Sequence, residues 1–225
     1  GKHPQGGYMI IFGSGKYFEV GDNSGTAVQS LYGVWDKDTT TSRITETDRS
    51  PLVERQILAE QSANGNNWRV VSKDIGCTDK LGWYLDLTTP PPPGTPEGER
   101  VVSVPLLRHN RSIFTTLIPS SEPCEAGGTS WILEVDTLLS CGGTDAPIFD
   151  VNDDGKIDAA DVITIDGVSV YPSGIQSTVG IINTPSVISA GPIEFKFAGG
   201  STGGIMNVPE AGDENAGRQS WRQLR

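Results

Sequence analysis

Apolar residues in this chain fall in short runs of strand length, cut apart by Gly, Pro, Asn and Asp. Runs of this kind with turn residues between them predict strands rather than helices. The first, Tyr8 to Phe12, is continuously apolar, and Lys16 to Val20 predicts a second strand or an edge. Gln29 to Trp35 alternates, with Leu31, Gly33 and Trp35 on one face. Leu52 to Leu58 is apolar at both ends. Ser50-Pro51 before it would suit a helix start, but a strand fits the surrounding pattern better. Asn64 to Asn67 signals a hairpin turn, and Trp68 to Ser72 is its return strand.

From Gly82 onward the same pattern predicts a meander of four strands: Trp83 to Leu87, Arg100 to Val104, Arg111 to Ile118 and Trp131 to Asp136. The second and third pair across His109-Asn110. Asn110-Arg111-Ser112 also fits a glycosylation triplet, but a hairpin turn is the plainer reading. Thr88 to Gly98, with Pro90 to Pro93 and Pro96, predicts a stiff loop, because proline supplies no N–H to a ladder. Asp158 to Ile163 predicts one or two helical turns. Strands resume at Thr178 to Ile182, Ser186 to Ile188, Ile193 to Phe197 and Ile205 to Val208. The fold class is all-β, built from antiparallel strand meanders.

Composition supports this and narrows the partners. The 225 residues hold 28 Gly and 15 Pro, and 17 basic against 28 acidic residues give a net charge of −11. An acidic chain lacks the basic face that nucleic acid requires. No apolar run approaches the ~18 residues of a membrane span. The chain opens at Gly1 without Met and is read as a fragment, so the lack of a signal peptide has no bearing on secretion. Cys77, Cys124 and Cys141 match no zinc spacing. In the meander Cys77 and Cys141 fall at one end and Cys124 about 20 Å away at the other. A disulfide needs Cα atoms within about 7 Å, so Cys77–Cys141 is the better-placed pair.

One stretch carries a denser pattern. In Asp150-Val-Asn-Asp-Asp-Gly-Lys-Ile-Asp-Ala-Ala-Asp161, oxygen-bearing side chains occupy positions 1, 3, 5, 9 and 12: Asp150, Asn152, Asp154, Asp158 and Asp161. Gly155 stands at position 6 and Ile157 at position 8. This is the layout of an EF-hand calcium loop with Asp in place of the final Glu. Calcium takes about six to eight oxygen ligands, which alternate residues of a curling loop supply. Lys156 contributes its carbonyl, and Asp153 faces water. The plain alternative is a solvated acidic turn, which does not require so many positions to coincide. Magnesium fits less well, since it demands near-octahedral geometry and keeps its waters. Gly and Pro before Asp150 argue against an entering helix, and no second loop is present. The spacing offers no nucleophile elbow and no His beside a nucleophile. Carboxylate pairs such as Asp36 and Asp38 carry no acid/base role on spacing alone, so the chain is read as non-enzymatic.

Eight segments, in order, resemble a known family: FGSGKYFEVGDN, QSLYGVWDK, GWYLDL, GERVVSVPLLR, IFTTLIPSSEPC, GGTSWILEVD, FDVNDDGKIDAADV and GRQSWRQLR. The chain is similar to the C-terminal region of PilY/PilC-type type IV pilus tip adhesins. That resemblance implies a modified β-propeller, here its last blades, carrying a calcium loop at Asp150, Asn152, Asp154, Lys156 (carbonyl) and Asp158. It divides the chain into blades over 1–145, the loop insertion over 146–170 and a final blade over 171–225. It also implies an extracellular place at the pilus tip, with minor pilins as partners and a host or abiotic surface as target. Calcium occupancy would bias pilus extension against retraction, and hence twitching motility and virulence. Two other readings stay open. One is a secreted propeller enzyme, quinone-dependent or glycan-active. The other is a dockerin-like module, of whose two calcium repeats this chain has one.

Overall fold

Three sheets lie face to face in the computed structural model, which describes residues 2–3, 5–19, 21–37, 44, 48–72, 80–122, 127–137 and 146–212. The first has the order β1 (Tyr8–Gly13), β2 (Ser30–Asp36), β6 (Gly82–Asp86), β3 (Val53–Arg55). The middle sheet runs β4 (Ile57–Ala63), β5 (Asn66–Val71), β14 (Gly174–Gln176), β11 (Trp131–Asp136), β8 (Arg111–Thr115), β7 (Leu106–Arg108). The last runs β15 (Ser186–Ala190), β16 (Ile193–Gly199), β17 (Ile205–Ala211). Two short ladders, β9 (Ile118–Pro119) with β10 (Gly128–Thr129) and β12 (Ile163–Ile165) with β13 (Val168–Val170), complete the set. Every pairing between these strands is antiparallel except β3 with β6. No helix forms among the described residues, and the sheets do not close into a ring.

The middle sheet is covered on both sides, so its inner strands β5, β14, β11 and β8 are buried almost without a break. Leu31, Trp83 and Leu85 of the first sheet pack against Val71, Phe114, Trp131, Leu133 and Val135. Gly33 is required there: a Cβ would meet the Trp83 indole at 2.4 Å. On the other side Trp68, Val70, Ile113, Ile132 and Ile175 meet Ala198, Met206 and Val208 of the last sheet. The outer faces of the two flanking sheets are also apolar. Tyr8, Ile10 and Phe12 are exposed on β1, with Phe12 stacked on Tyr32 at 5.0 Å. Ile188 and Ile205 are exposed on the last sheet, beside the Phe195–Phe197 stack.

Several expectations change. Lys16 to Glu19 is not a strand, because the Asp22 carboxylate accepts the N–H groups of Phe18 and Glu19 and curls the chain. Leu52 to Leu58 divides between two sheets, β3 and β4. Arg100 to Val104 makes one bridge, Arg100 to Leu117, and the hairpin across His109-Asn110 is closed instead by β7. The guanidinium of Arg100 is taken up by the carbonyls of Gly98, Lys16 and Gly25. The four-strand meander does not form, since the Trp83 strand belongs to the first sheet and pairs with β2 and β3. The cysteine pairing argued from it concerns residues outside the described ones, as does GRQSWRQLR. The helical turns at Asp158 to Ile163 are replaced by a tight turn leading into the β12–β13 hairpin. Thr178 to Ile182 yields a single bridge, Ile182 to Gly200. In Asn110-Arg111-Ser112, Ser112 is buried against Thr137, as suits a hairpin rather than a modification site.

Charged side chains join the middle and last sheets. Lys196 and Glu134 are 0% exposed, and Lys196 bonds both Glu210 and Glu134, the latter at 2.7 Å. Arg111 reaches Glu134 at 2.9 Å and also donates to the Ala211 carbonyl. Close by, buried Glu194 takes Arg108, His109 and Ser189. Desolvation pushes the Glu194 pKa up, but Arg108, Ser189 and His109 outweigh it and hold the group below its ordinary value. A depressed carboxyl pKa stabilises the fold above the ordinary value, and that stabilisation disappears as pH falls through the folded value. In acid titrations followed by circular dichroism, Glu194→Gln is therefore expected to flatten the loss of stability below the ordinary glutamate pKa. An unchanged acid limb would show that the clasp is not formed.

Candidate metal centre

The acidic loop is anchored in the core at both ends. Ile148, Phe149 and Val151 are buried between the middle and last sheets, with Phe149 against Trp68 at 5.6 Å. Ala211 N–H donates to the Ile148 carbonyl, and Phe149 bridges Glu210 of β17. On the far side buried Ile163 opens the β12–β13 hairpin. From the middle sheet the β4–β5 turn reaches over, and Asn64 Nδ2 donates to the Val151 carbonyl at 2.8 Å. The sequence placed the loop between strand groups, but the contact with Asn64 was not foreseen.

Within the loop each candidate side chain grips nearby backbone. Asp150 accepts the N–H of Asp154 at 3.2 Å and that of Gly155 at 2.9 Å, one on each oxygen. Asn152 accepts Asp154 N–H, Asp154 accepts Lys156 N–H, and Asp158 accepts Ala160 N–H. The curl needs left-handed backbone at Asp153 (φ 59°) and Gly155 (φ 77°), which Asp tolerates and Gly adopts freely. Asn152, Asp153, Asp154, Lys156 and Asp158 are exposed and Asp150 is half-buried.

Asp161 differs. It is 1% exposed, and its oxygens accept three backbone N–H groups, from Val151 (2.7 Å), Asn152 (3.3 Å) and Asp158 (2.7 Å). It ties the start of the loop to its end. With three of about four lone-pair sites occupied, it is the least free of the six to offer an oxygen elsewhere. Among the described residues no group of three or more His, Cys, Asp or Glu side chains stands together as a formed metal cluster. The loop oxygens turn onto backbone donors instead. Their chemistry nonetheless suits a hard cation: all-oxygen donors, alternately spaced, each positioned by a hydrogen bond from an adjacent turn.

Elsewhere, His3 stacks on Trp35 at 3.8 Å, and burial with the Lys37 charge lowers its pKa. His109 is engaged by Glu194 at 2.8 Å. Sequence reasoning passed over the charges buried between sheets. Strand alternation does place Glu134 beside Ile132, but Glu194 and Lys196 in an alternating strand read as solvent-facing.

The stacked sheets find a counterpart among solved structures. The crystal structure of the Pseudomonas aeruginosa PilY1 C-terminal domain superposes with a TM-score of 0.73 at 25% identity, over 92% of this chain and 43% of that one. The chain is a relative of the PilY1 C-terminal domain. Sequence comparison agrees. A PilY1 homolog of Xylella fastidiosa is 29% identical over 99% of the chain, and a second from that organism is 32% identical over 97%. The Pseudomonas aeruginosa type IV pilus biogenesis factor PilY1 is 29% identical over 99%. The chain spans only 16–20% of the length of these proteins. No family model matches the sequence. No helix among the described residues is long and apolar enough to cross a membrane.

Proposed function

We propose that the chain is a calcium-binding, non-enzymatic segment of a type IV pilus biogenesis factor. It would act at the cell surface, at the pilus tip with minor pilins, and take part in attachment to host or abiotic surfaces. The PilY1 relationship supports the pilus role. One observation supports the calcium role: Asp150 holds the N–H groups of Asp154 and Gly155, and so bends back on itself a loop in which oxygen-bearing residues alternate. Asp150, Asn152, Asp154 and Asp158 would supply side-chain oxygens and Lys156 its carbonyl, with Asp161 keeping the ring shut. Bound calcium would offset the mutual repulsion of these carboxylates. The three stacked sheets fit successive propeller blades, with the loop inserted between β11 and β14 of the middle one. We assign their apolar outer faces to contact with further sheets of the full-length protein.

Isothermal titration tests the metal. One calcium per chain is expected, with magnesium weaker, and with Asp153→Ala within about twofold of the parent, since Asp153 lies outside the ring of ligands. No binding, or equal loss on Asp153→Ala, would overturn the assignment. In the full-length protein, Asp150→Ala is expected to alter surface piliation and twitching motility. Normal piliation with calcium binding verifiably lost would remove the regulatory role.

A further inference from the structure

A cavity of about 220 Å³ lies between the β4–β5 turn, the acidic loop and β17. We propose that it binds a neutral sugar, and that the metal state of the loop sets its shape. The second clause rests on the calcium reading; the first does not.

The lining argues for the ligand class. Its polar lining residues are Asn64, Asn66, Thr178, Asn207, Asp150 and Asp153. No Lys, Arg or His lines the cavity, so an anion would meet like charge and no counter-charge. A side-chain amide both donates and accepts, as does a hydroxyl. The amides of Asn66 and Asn207, the Thr178 hydroxyl and the Asp153 carboxylate would therefore complement a molecule dense in hydroxyl groups. The remainder is apolar. Ile205 is 73% exposed, and Pro209 stands beside it in the wall. Such a surface suits the C–H face of a pyranose ring, and the volume admits about one ring.

The same walls explain coupling to the loop. Asp153 is the loop residue that the metal reading leaves idle. Its backbone is left-handed (φ 59°), and it lines this cavity. Asn64 also has positive φ (50°), and its amide is tied to the Val151 carbonyl at 2.8 Å. The turn bearing Asn64 and Asn66 is thus held by the loop it faces. The third wall, β17, pairs with β16 on one side, and on the other meets Phe149 at Glu210. If the loop loses its curl, Asp153 and Asn64 lose their positions relative to Asn207.

The test uses the labelled whole chain on an array of neutral glycans ending in glucose, galactose, mannose or N-acetylglucosamine, with sialylated and sulfated glycans and extended peptides alongside. Retention of a neutral glycan in calcium is expected, with displacement by the free monosaccharide and at least tenfold weaker retention in chelator. Asn207→Ala and Asp153→Ala should each weaken retention at least tenfold. Both should keep the parent's calcium titration and melting midpoint. Retention of no neutral glycan, of anionic glycans only, or of peptides only would overturn the proposal. So would full retention by both variants. Calcium binding without glycan binding removes the groove and leaves the metal reading standing. Glycan binding that chelator does not change removes the coupling. Glycan binding by a chain that takes up no calcium removes the metal reading and leaves the groove.

Discussion

Replacing Lys196 with alanine is expected to cost about 3–5 kcal/mol of folding stability, measured by urea denaturation, because it leaves charges buried without a partner. Lys196 lies between Glu210 on the adjacent strand and Glu134 on the facing sheet, and all three are fully buried. Arg111 partly compensates Glu134, at 2.9 Å. Both contacts with Glu134 are close ion pairs, so charge holds this group together. The double variant Lys196→Met/Glu210→Leu removes one charge of each sign and keeps the Glu134–Arg111 pair. It should recover most of the loss, since buried ion pairs are often matched by apolar side chains of similar volume. A single-variant loss below about 1 kcal/mol, or simple additivity of the two changes, would contradict a coupled network.

The same lysine has an alkaline signature. Burial lowers its pKa and Arg111 pushes the same way, while Glu134 opposes. The unfolded chain therefore keeps this proton to higher pH than the folded one. Stability contributed by this site rises with pH from the folded pKa up to the ordinary lysine value. The double variant should lose that rise.

What was legible in the sequence follows from the range of the interactions. The acidic loop was readable because its bonds are local: Asp150 to Asp154 and Gly155, Asn152 to Asp154, Asp154 to Lys156. The hairpins at Asn64-Gly65 and His109-Asn110 were readable for the same reason, since positive φ falls where Asn, His and Gly stand. Sheet membership was not. Trp83 and Trp131 head similar strands, yet one lies in the first sheet and the other in the middle one. β14 has only three residues and no alternation, but it fills the gap between β5 and β11. Gly174 allows that approach, because a Cβ there would meet the Leu133 side chain at 2.5 Å. Arg69 appears in sequence as one polar residue in a strand. In the fold it is buried, lies 4.0 Å over Trp131 and is paired with Glu99 and Glu60, each at 2.7 Å.

Asp161→Ala is expected to lower calcium affinity about 10–100-fold, as loss of a group that orients metal ligands does. Asp154→Ala, which removes a proposed ligand outright, should abolish tight binding. The two losses differ in origin. Asp161 accepts the N–H groups of Val151, Asn152 and Asp158, and its removal orphans the buried Val151 donor at a cost of about 1–3 kcal/mol. The loop then opens where its first and last residues meet, and Asp150 and Asp158 lose their positions relative to each other. Asp161→Asn should fall between alanine and the parent. Its amide oxygen can keep Val151 and Asn152, but its amide nitrogen meets the Asp158 N–H donor to donor. Amide exchange separates these cases. In the parent, calcium should slow exchange mainly from Pro147 to Ile165 and leave the sheet strands unchanged. Asp161→Ala should already exchange fast over that span and respond only at high calcium. Asp154→Ala should keep the protection of Val151 and show no calcium response. Uniform slowing across the sheets on calcium addition would mean that the metal acts on the core rather than on this loop.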